Sequence, residues 1–434
     1  MSDTYSIDLS SSWTNKTVTF SRIKKSAPVF NGAILWTDSK EESFYAWGGE
    51  QSEILLSSDR PPLPPNSVWS FSLAGTGDGS WTEKSMSTDL VFDSLTRPAG
   101  ATGAYGKDIG YFLGGYQSEL TSSESSKLSS EIPTPGMVSY NAETGKWANQ
   151  SASGYSFFGT AYNGEMQFLP DFGEAGILIA MGGQTSNNRR YDDSDDSELT
   201  LSNINMFNPA TGVWLNQTAS GTIPAIRSKF CSVGVRGDDG TYEIFIYGGH
   251  PWTRIFLSYS KAEKKQQALM DEVYVLSLPG FVWTKANYPS ENPRTRHRCN
   301  ARGRQMIVTG GLNPTRENRS AVTYGKDIWT QGIGIFDLTD MAWKDEYDVN
   351  AAPYKTPELV KSWYSTNGRY PIRWDDPATE KLVTGAGQSS IFCFMKQNTW
   401  KANRFQQFSK NLRHPSQTPL PSLEASLVES LFLH

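Results

Sequence analysis

The chain is 434 residues long with a formal net charge of −5, 37% hydrophobic and 12% aromatic residues, which supplies a large packed interior and excludes a disordered protein. No lysine- or arginine-rich stripe offsets the acidic balance, excluding a nucleic-acid role, and no apolar run approaches the roughly 18 residues that cross a bilayer. Three widely spaced cysteines, Cys231, Cys299 and Cys393, predict no disulfide framework and fit a reducing, cytoplasmic setting.

In chain order the first predicted element is the strand YSIDLSSSW, closed by Trp13. Two markers then alternate. Glycine pairs end short runs of β-formers at Gly48–Gly49, Gly114–Gly115, Gly182–Gly183, Gly248–Gly249 and Gly310–Gly311, while tryptophans end a later run at Trp81, Trp147, Trp214, Trp283 and Trp343. Counted from Trp13 the tryptophans recur at intervals of 68, 66, 67, 69 and 60 residues, so one structural unit is repeated. Apolar residues alternate within the runs, as in half-buried strands. Around Gly385 the stretch KLVTGAGQ reads as a degenerate glycine strand without its own tryptophan, and Trp13 lacks a glycine pair. The N-terminal strand is therefore expected to complete the last unit and close a ring, removing exposed sheet edges.

A strand ending in Gly-Gly, then some 33 residues to a turn and Trp, resembles the kelch repeat of β-propellers over roughly residues 5–400. The resemblance implies an all-β fold of six four-stranded antiparallel blades around a central channel. The period exceeds the usual kelch period of about 50, so loop insertions supply the difference. One domain is expected over 1–400, with 401–434 a tail that is mobile in part.

Strand alternation puts the loop after each glycine pair and the connection leaving each tryptophan on one rim. Long insertions gather there: a Ser-rich loop in the second blade, the acidic TSNNRRYDDSDDSELT in the third, and PWTRIFLSYSKAEKK in the fourth, where Trp252, Ile255, Phe256 and Tyr259 have the spacing of a short lid helix. The segments leading into the innermost strands open on the same rim and carry Lys25, Arg97, Arg227 or Lys229, Arg294, Arg296 or Arg298, and Lys361, with Phe158, Trp363 and Tyr364 beside them. His250 follows a glycine pair and His297 lies in the fifth lead-in. Cations in a narrow mouth focus positive potential, and with aromatics they suit a flat, electron-rich or anionic organic ligand. The competing reading pairs these cations with inter-blade carboxylates or strand ends.

Motifs for phosphate cradles, nucleophile elbows, zincins and CxxC sites are absent, and four histidines make a multi-histidine metal site unexpected. Neither metal nor cofactor is expected. Chemistry, if any, then comes from binding and orienting reactants, which suits a pericyclic reaction. The stand-alone propeller resembles fungal kelch-like proteins and, more narrowly, the hetero-Diels–Alderases that join a tropolone-derived quinone methide to a humulene-type sesquiterpene. That resemblance implies small hydrophobic organic substrates and carries over no catalytic residue. The alternative is a kelch scaffold that binds a protein partner. Four Asn-x-Ser/Thr sequons start at Asn15, Asn149, Asn216 and Asn318. Three sit two residues after a repeat tryptophan, which reads as a shared turn position rather than as glycosylation.

Overall fold

The computed structural model describes residues 3–38, 43–52, 61–187 apart from positions 76, 85, 87 and 88, 197–250, 271–315 apart from 290, 325–385, and 428–429. Among these, five consecutive four-stranded antiparallel meanders form the blades of a β-propeller. Their strands a to d are Asn31–Asp38, Ser43–Glu50, Val68–Leu73 and Gly79–Lys84 in blade I; Thr102–Gly106, Ile109–Leu113, Met137–Asn141 and Lys146–Gln150 in blade II; Glu165–Leu169, Ile177–Met181, Asn203–Asn208 and Val213–Thr218 in blade III. Blade IV comprises Cys231–Arg236, Tyr242–Tyr247, Val273–Leu278 and Val282–Lys285, and blade V Arg298–Arg302, Gln305–Thr309, Ile333–Asp337 and Ala342–Lys344. The innermost strands of successive blades are neighbours, which sets them around the central axis.

Each of the five later repeat tryptophans lies in a strand d, and each glycine pair ends a strand b. The tryptophans fill the spaces between blades: Trp147 packs on Trp47, Phe92 and Phe112, while Trp283 is fully buried and donates its indole N–H to Leu201 O at 2.9 Å. Full burial of such a ring contributes about 4–6 kcal/mol, at about 25 cal/mol per Å².

The glycine pairs act between blades. The second glycine donates its N–H to a carbonyl in the next blade's lead-in: Gly49 to Pro98 O (2.7 Å), Gly115 to Ala161 O (2.6 Å), Gly183 to Arg227 O (2.9 Å) and Gly249 to Arg294 O (2.9 Å). At Gly48, with φ +86°, an added Cβ would stand 2.6 Å from Pro98 O, so both the left-handed backbone and the close approach require glycine.

Two residues after each of those carbonyls the chain again turns left-handed. Gly100, Asn163, Lys229 and Arg296, with φ of 62°, 60°, 53° and 58°, donate their N–H groups to the O of Gly32, Gly100, Asn163 and Lys229 respectively, at 2.8–3.0 Å. This chain of main-chain hydrogen bonds passes from blade to blade around the channel mouth. It holds non-glycine residues at positive φ because each bond locks its neighbour.

Beyond blade V the structure departs from the repeat. The stretch expected to lead into a sixth innermost strand is the helix Glu358–Asn367, and KLVTG closes the helix Pro377–Gly385 instead of a glycine strand. Among the described residues nothing lies within 4 Å of a Cβ added at Gly385, so no close approach there selects a strand end. The segment spanning both helices starts at the face opposite the glycine pairs, beside the a–b and c–d hairpins of blade IV, and runs on along the outer strand of blade III. Tyr364 Oη accepts from Gly280 N (3.0 Å), Arg369 donates to Gly240 O (2.7 Å), and Thr218 N donates to Asp375 (2.5 Å).

At the other terminus Asp3–Ile7 pairs with Phe20–Lys24 and with Val428–Glu429, and Trp13–Thr14 pairs with Glu346–Tyr347. Residues 428–429, expected in a tail outside the repeats, thus join a sheet. The remaining tail, the predicted lid with Trp252, and residues 386–400 lie outside the described residues, as does most of the acidic loop.

The cysteine expectation is corrected. Cys231 and Cys299, with Cα atoms 5.6 Å apart, form a disulfide between the innermost strands of blades IV and V. Their separation of 68 residues is within one position of the repeat, which brings nearby positions of the two innermost strands side by side.

Candidate functional site

The basic lead-ins separate into two classes according to where the repeat puts them. Arg227 and Arg294 occupy the carbonyl position of the glycine clasp, so their side chains turn into the wall between blades. Arg227 donates to Gly248 O (3.0 Å) and Ala225 O (3.1 Å), lies 3.9 Å from Glu272, and stands over the Tyr274 ring. Arg294 donates to Gly310 O, forms a two-pronged pair with Asp327 (2.6 and 3.1 Å), and lies 4.0 Å above Trp329. Arg97 is also buried: it donates to Pro65 O (3.2 Å) and Thr121 O and covers Phe30, and burial pulls its basicity down to about 10. These three guanidinium groups saturate main-chain carbonyls that would otherwise be buried without partners.

Arg296 and Lys229 belong to the hydrogen-bonded belt, and both bear on His250 at the channel mouth. Arg296 is exposed and Lys229 half-buried. Burial first, then the charges of Lys229 and Arg296, hold His250 well below the ordinary histidine range, so its ring is neutral. Its Nδ1 lies 2.6 Å from Thr295 Oγ1, which in turn donates to Lys229 O (3.1 Å).

One step further along the innermost strands lies a polar group that the sequence reading left out. Glu165 of blade III accepts from Ser232 Oγ of blade IV (3.1 Å), and Gln167 Nε2 donates to the same hydroxyl (2.8 Å). Arg298 of blade V lies 3.6 Å from the other Glu165 oxygen. Residues of blades III and V meet here across the intervening innermost strand of blade IV, which places the contact at the channel wall. Burial raises the Glu165 carboxyl to about 7 against the opposing pull of Arg298 and Ser232. Arg298 is 57% exposed and Glu165 19%, so the pair is screened on one side only.

The other sequence-derived candidates are dispersed. His297 is buried between blades IV and V, edge-on to Tyr247, with Nε2 3.1 Å from Tyr247 O. Burial and Arg294 push its proton affinity down to about 3. One nitrogen of this ring and the sulfurs of Cys231 and Cys299 lie within 4.8 Å of one another, but sulfurs joined in a disulfide are not thiolate ligands. Lys25 stands 5.4 Å from the Trp81 ring centre, and burial lowers its ammonium to about 8. Phe158 is exposed and stacked edge-to-face on Phe157.

Lys361, Trp363 and Tyr364 require a correction of place. They sit on the helix Glu358–Asn367 at the opposite face, Lys361 against Asp238 (3.3 Å) and Tyr364 against Ser277 and Gly280, beside the a–b and c–d hairpins of blade IV. A helix, not a strand lead-in, presents them, so they do not join the ring of cations at the mouth.

No protein-family model matches the chain. A Kelch repeat-containing protein of Arthroderma benhamiae is 25% identical over 383 residues, covering 79% of this chain and 51% of that protein. The fold is a β-propeller with five blades among the described residues, and the sequence similarity is to a kelch-repeat protein. The chain spans about half the length of that relative. Among the described residues of the propeller, no helix is long and apolar enough to cross a membrane. Glu165 is not predictable from the lead-ins because it lies beyond them, in the innermost strand Glu165–Leu169. The available signal was a charged residue in the innermost strand EMQFL, where burial makes a carboxylate costly.

Proposed function

We propose that this kelch-type propeller binds a small organic substrate in the channel mouth between blades III and V and accelerates a cofactor-free pericyclic reaction there. The reaction, by resemblance to the fungal enzymes, is the intermolecular hetero-Diels–Alder joining of a tropolone-derived quinone methide to a humulene-type sesquiterpene. The observation that carries this reading is the Glu165 carboxyl, raised to about 7 and opposed to Arg298 across the channel wall. A carboxyl titrating there is a hydrogen-bond donor in much of the population at neutral pH and, with Arg298, polarises a substrate carbonyl. Orientation of two reactants supplies several kcal/mol more, about 7–11 at the upper end. The proposal takes the ring as six-bladed and closed by the N-terminal strands, which the pairing of Asp3–Ile7 with Val428–Glu429 supports.

Incubating the purified protein with a quinone methide generated in situ and a humulene-type alcohol is expected to give one stereoisomer of the adduct in excess over a protein-free control. Equal yield and equal stereochemistry with and without protein would sink the proposal. A second reading, a scaffold for a protein partner, is favoured by Phe157, which is 90% exposed on the same rim beside Phe158. On that reading no adduct excess appears, and Phe157→Ser with Phe158→Ser abolishes partner binding.

A further inference from the structure

Of the three sequons that follow a repeat tryptophan, the one at Asn15 lies in a turn closed by Val18 N–H on Thr14 O (2.9 Å), but the other two do not. Asn149 and Asn216 lie inside the outermost strands of blades II and III, and both side chains are exposed. The equivalent positions two residues after Trp81, Trp283 and Trp343 are Glu83, Lys285 and Asp345, also exposed. The fold thus accepts either sign of charge at this position and gives no structural reason for asparagine. Of the hydroxyls two residues later, Ser151 accepts from Ser153 N (3.2 Å); Ser151 and Thr218 are both exposed. An acceptor sequence needs both residues.

A second observation is independent of the sequons. The Cys231–Cys299 bridge joins two blades, and such bridges form and persist in oxidising compartments, where N-glycosylation also takes place. The cytoplasmic expectation drew in part on unpaired cysteines, and the bridge removes that part of its ground. The location also has a physical use. Strand d is the outer edge of its blade, and an edge strand invites pairing with another chain unless something covers it. Blade IV covers its edge with Ser220–Gly221, which runs parallel to Val282–Lys285. Asn149 lies one strand position from the end of blade II's outer edge, where a bulky glycan blocks approach.

We propose that Asn149 and Asn216 carry N-linked glycans and that the chain matures in an oxidising, glycosylating compartment. The test uses the full chain isolated from the cells that make it. Enzymatic release of N-glycans, which leaves aspartate at each formerly occupied asparagine, is followed by peptide mass spectrometry. Both positions are expected to read as aspartate only after release, and Asn149→Gln and Asn216→Gln each to remove one step of gel mobility shift. Alkylation under denaturing conditions is expected to label one cysteine before reduction and three after. Unmodified asparagine at either position refutes the assignment there, at both it overturns the proposal, and three labelled cysteines before reduction overturn the compartment. The outcome is independent of whether the channel catalyses a reaction.

Discussion

Replacing Glu165 by Gln isolates the group on which the proposed channel chemistry depends. The carboxyl titrates at about 7 in the folded chain against an ordinary value of 4.5. Because the folded pKa is raised, its contribution is fully present below pH 4.5 and is lost as pH rises through 7: between those values the unfolded chain has released the proton and the folded chain still holds it. A displacement of that size corresponds to about 3 kcal/mol, and partial exposure beside Arg298 reduces it to about 1–3 kcal/mol. Glutamine keeps an oxygen to accept from Ser232 and carries no charge. Denaturant titrations of Glu165→Gln and the parent are therefore expected to agree closely at pH 4 and to separate by that amount at pH 8, with the variant the more stable. Taking the difference cancels His297, whose lowered value of about 3 makes the fold lose stability as pH falls below 6.5, the opposite slope. A difference constant to within about 0.5 kcal/mol from pH 4 to 8 would falsify the assignment of a buried, high-pKa carboxyl.

Gly48→Ala meets Pro98 O at 2.6 Å with the backbone at φ +86°, and thermal unfolding should show a loss of about 2–4 kcal/mol. Cys231→Ser releases a 68-residue cross-link, for which chain entropy gives about 4 kcal/mol; the variant should become insensitive to added reductant, while the parent falls towards it. Arg294→Met leaves Asp327 and Gly310 O without their partner and is expected to cost about 3–5 kcal/mol in chemical denaturation, with Arg294→Lys failing to restore the two-pronged pair. Lys361→Ala removes a half-exposed ion pair on the far face and should change stability by less than about 1 kcal/mol, with adduct formation unaltered in a side-by-side assay.

The blades were legible because glycine and tryptophan are forced choices. Gly48 and its equivalents are fixed by a left-handed clasp to the next blade, and Trp147 by the space between sheets, so both leave a period in the sequence. The region after blade V was misread because LVKSWYSTNG has the composition of a lead-in. Its apolar residues instead follow a helical face, with Val360 and Tyr364 against blade IV. Local pattern cannot distinguish these when tertiary contacts select the outcome. The disulfide was missed for the opposite reason. Its two cysteines are far apart in sequence but within one position of a repeat apart, and the period itself was the signal that they are neighbours.

The segment RTRHRC shows why the site was only half legible. Within five residues Arg294, Arg296 and Arg298 do three different things: one closes the clasp between blades, one stands on the belt at the channel mouth, and one reaches the Glu165 carboxyl. The left-handed turn at Arg296 produces the division, because it rotates the chain between the buried carbonyl position and the start of the innermost strand. Blade IV repeats the arrangement with Arg227 in the clasp and Lys229 on the belt, and there the next strand position is Cys231. Composition alone therefore counts cations that the fold has already committed to main-chain carbonyls. The charge available to a ligand is that of the belt and the strand beyond it, and it is concentrated on blades III to V because Gly32 and Gly100 occupy the belt positions of the first two blades. On the proposed function, a substrate meets, among the described residues, charge on the side of blades III to V and glycine backbone at the belt positions of blades I and II, an asymmetry suited to holding a polar head against Arg298 and Glu165.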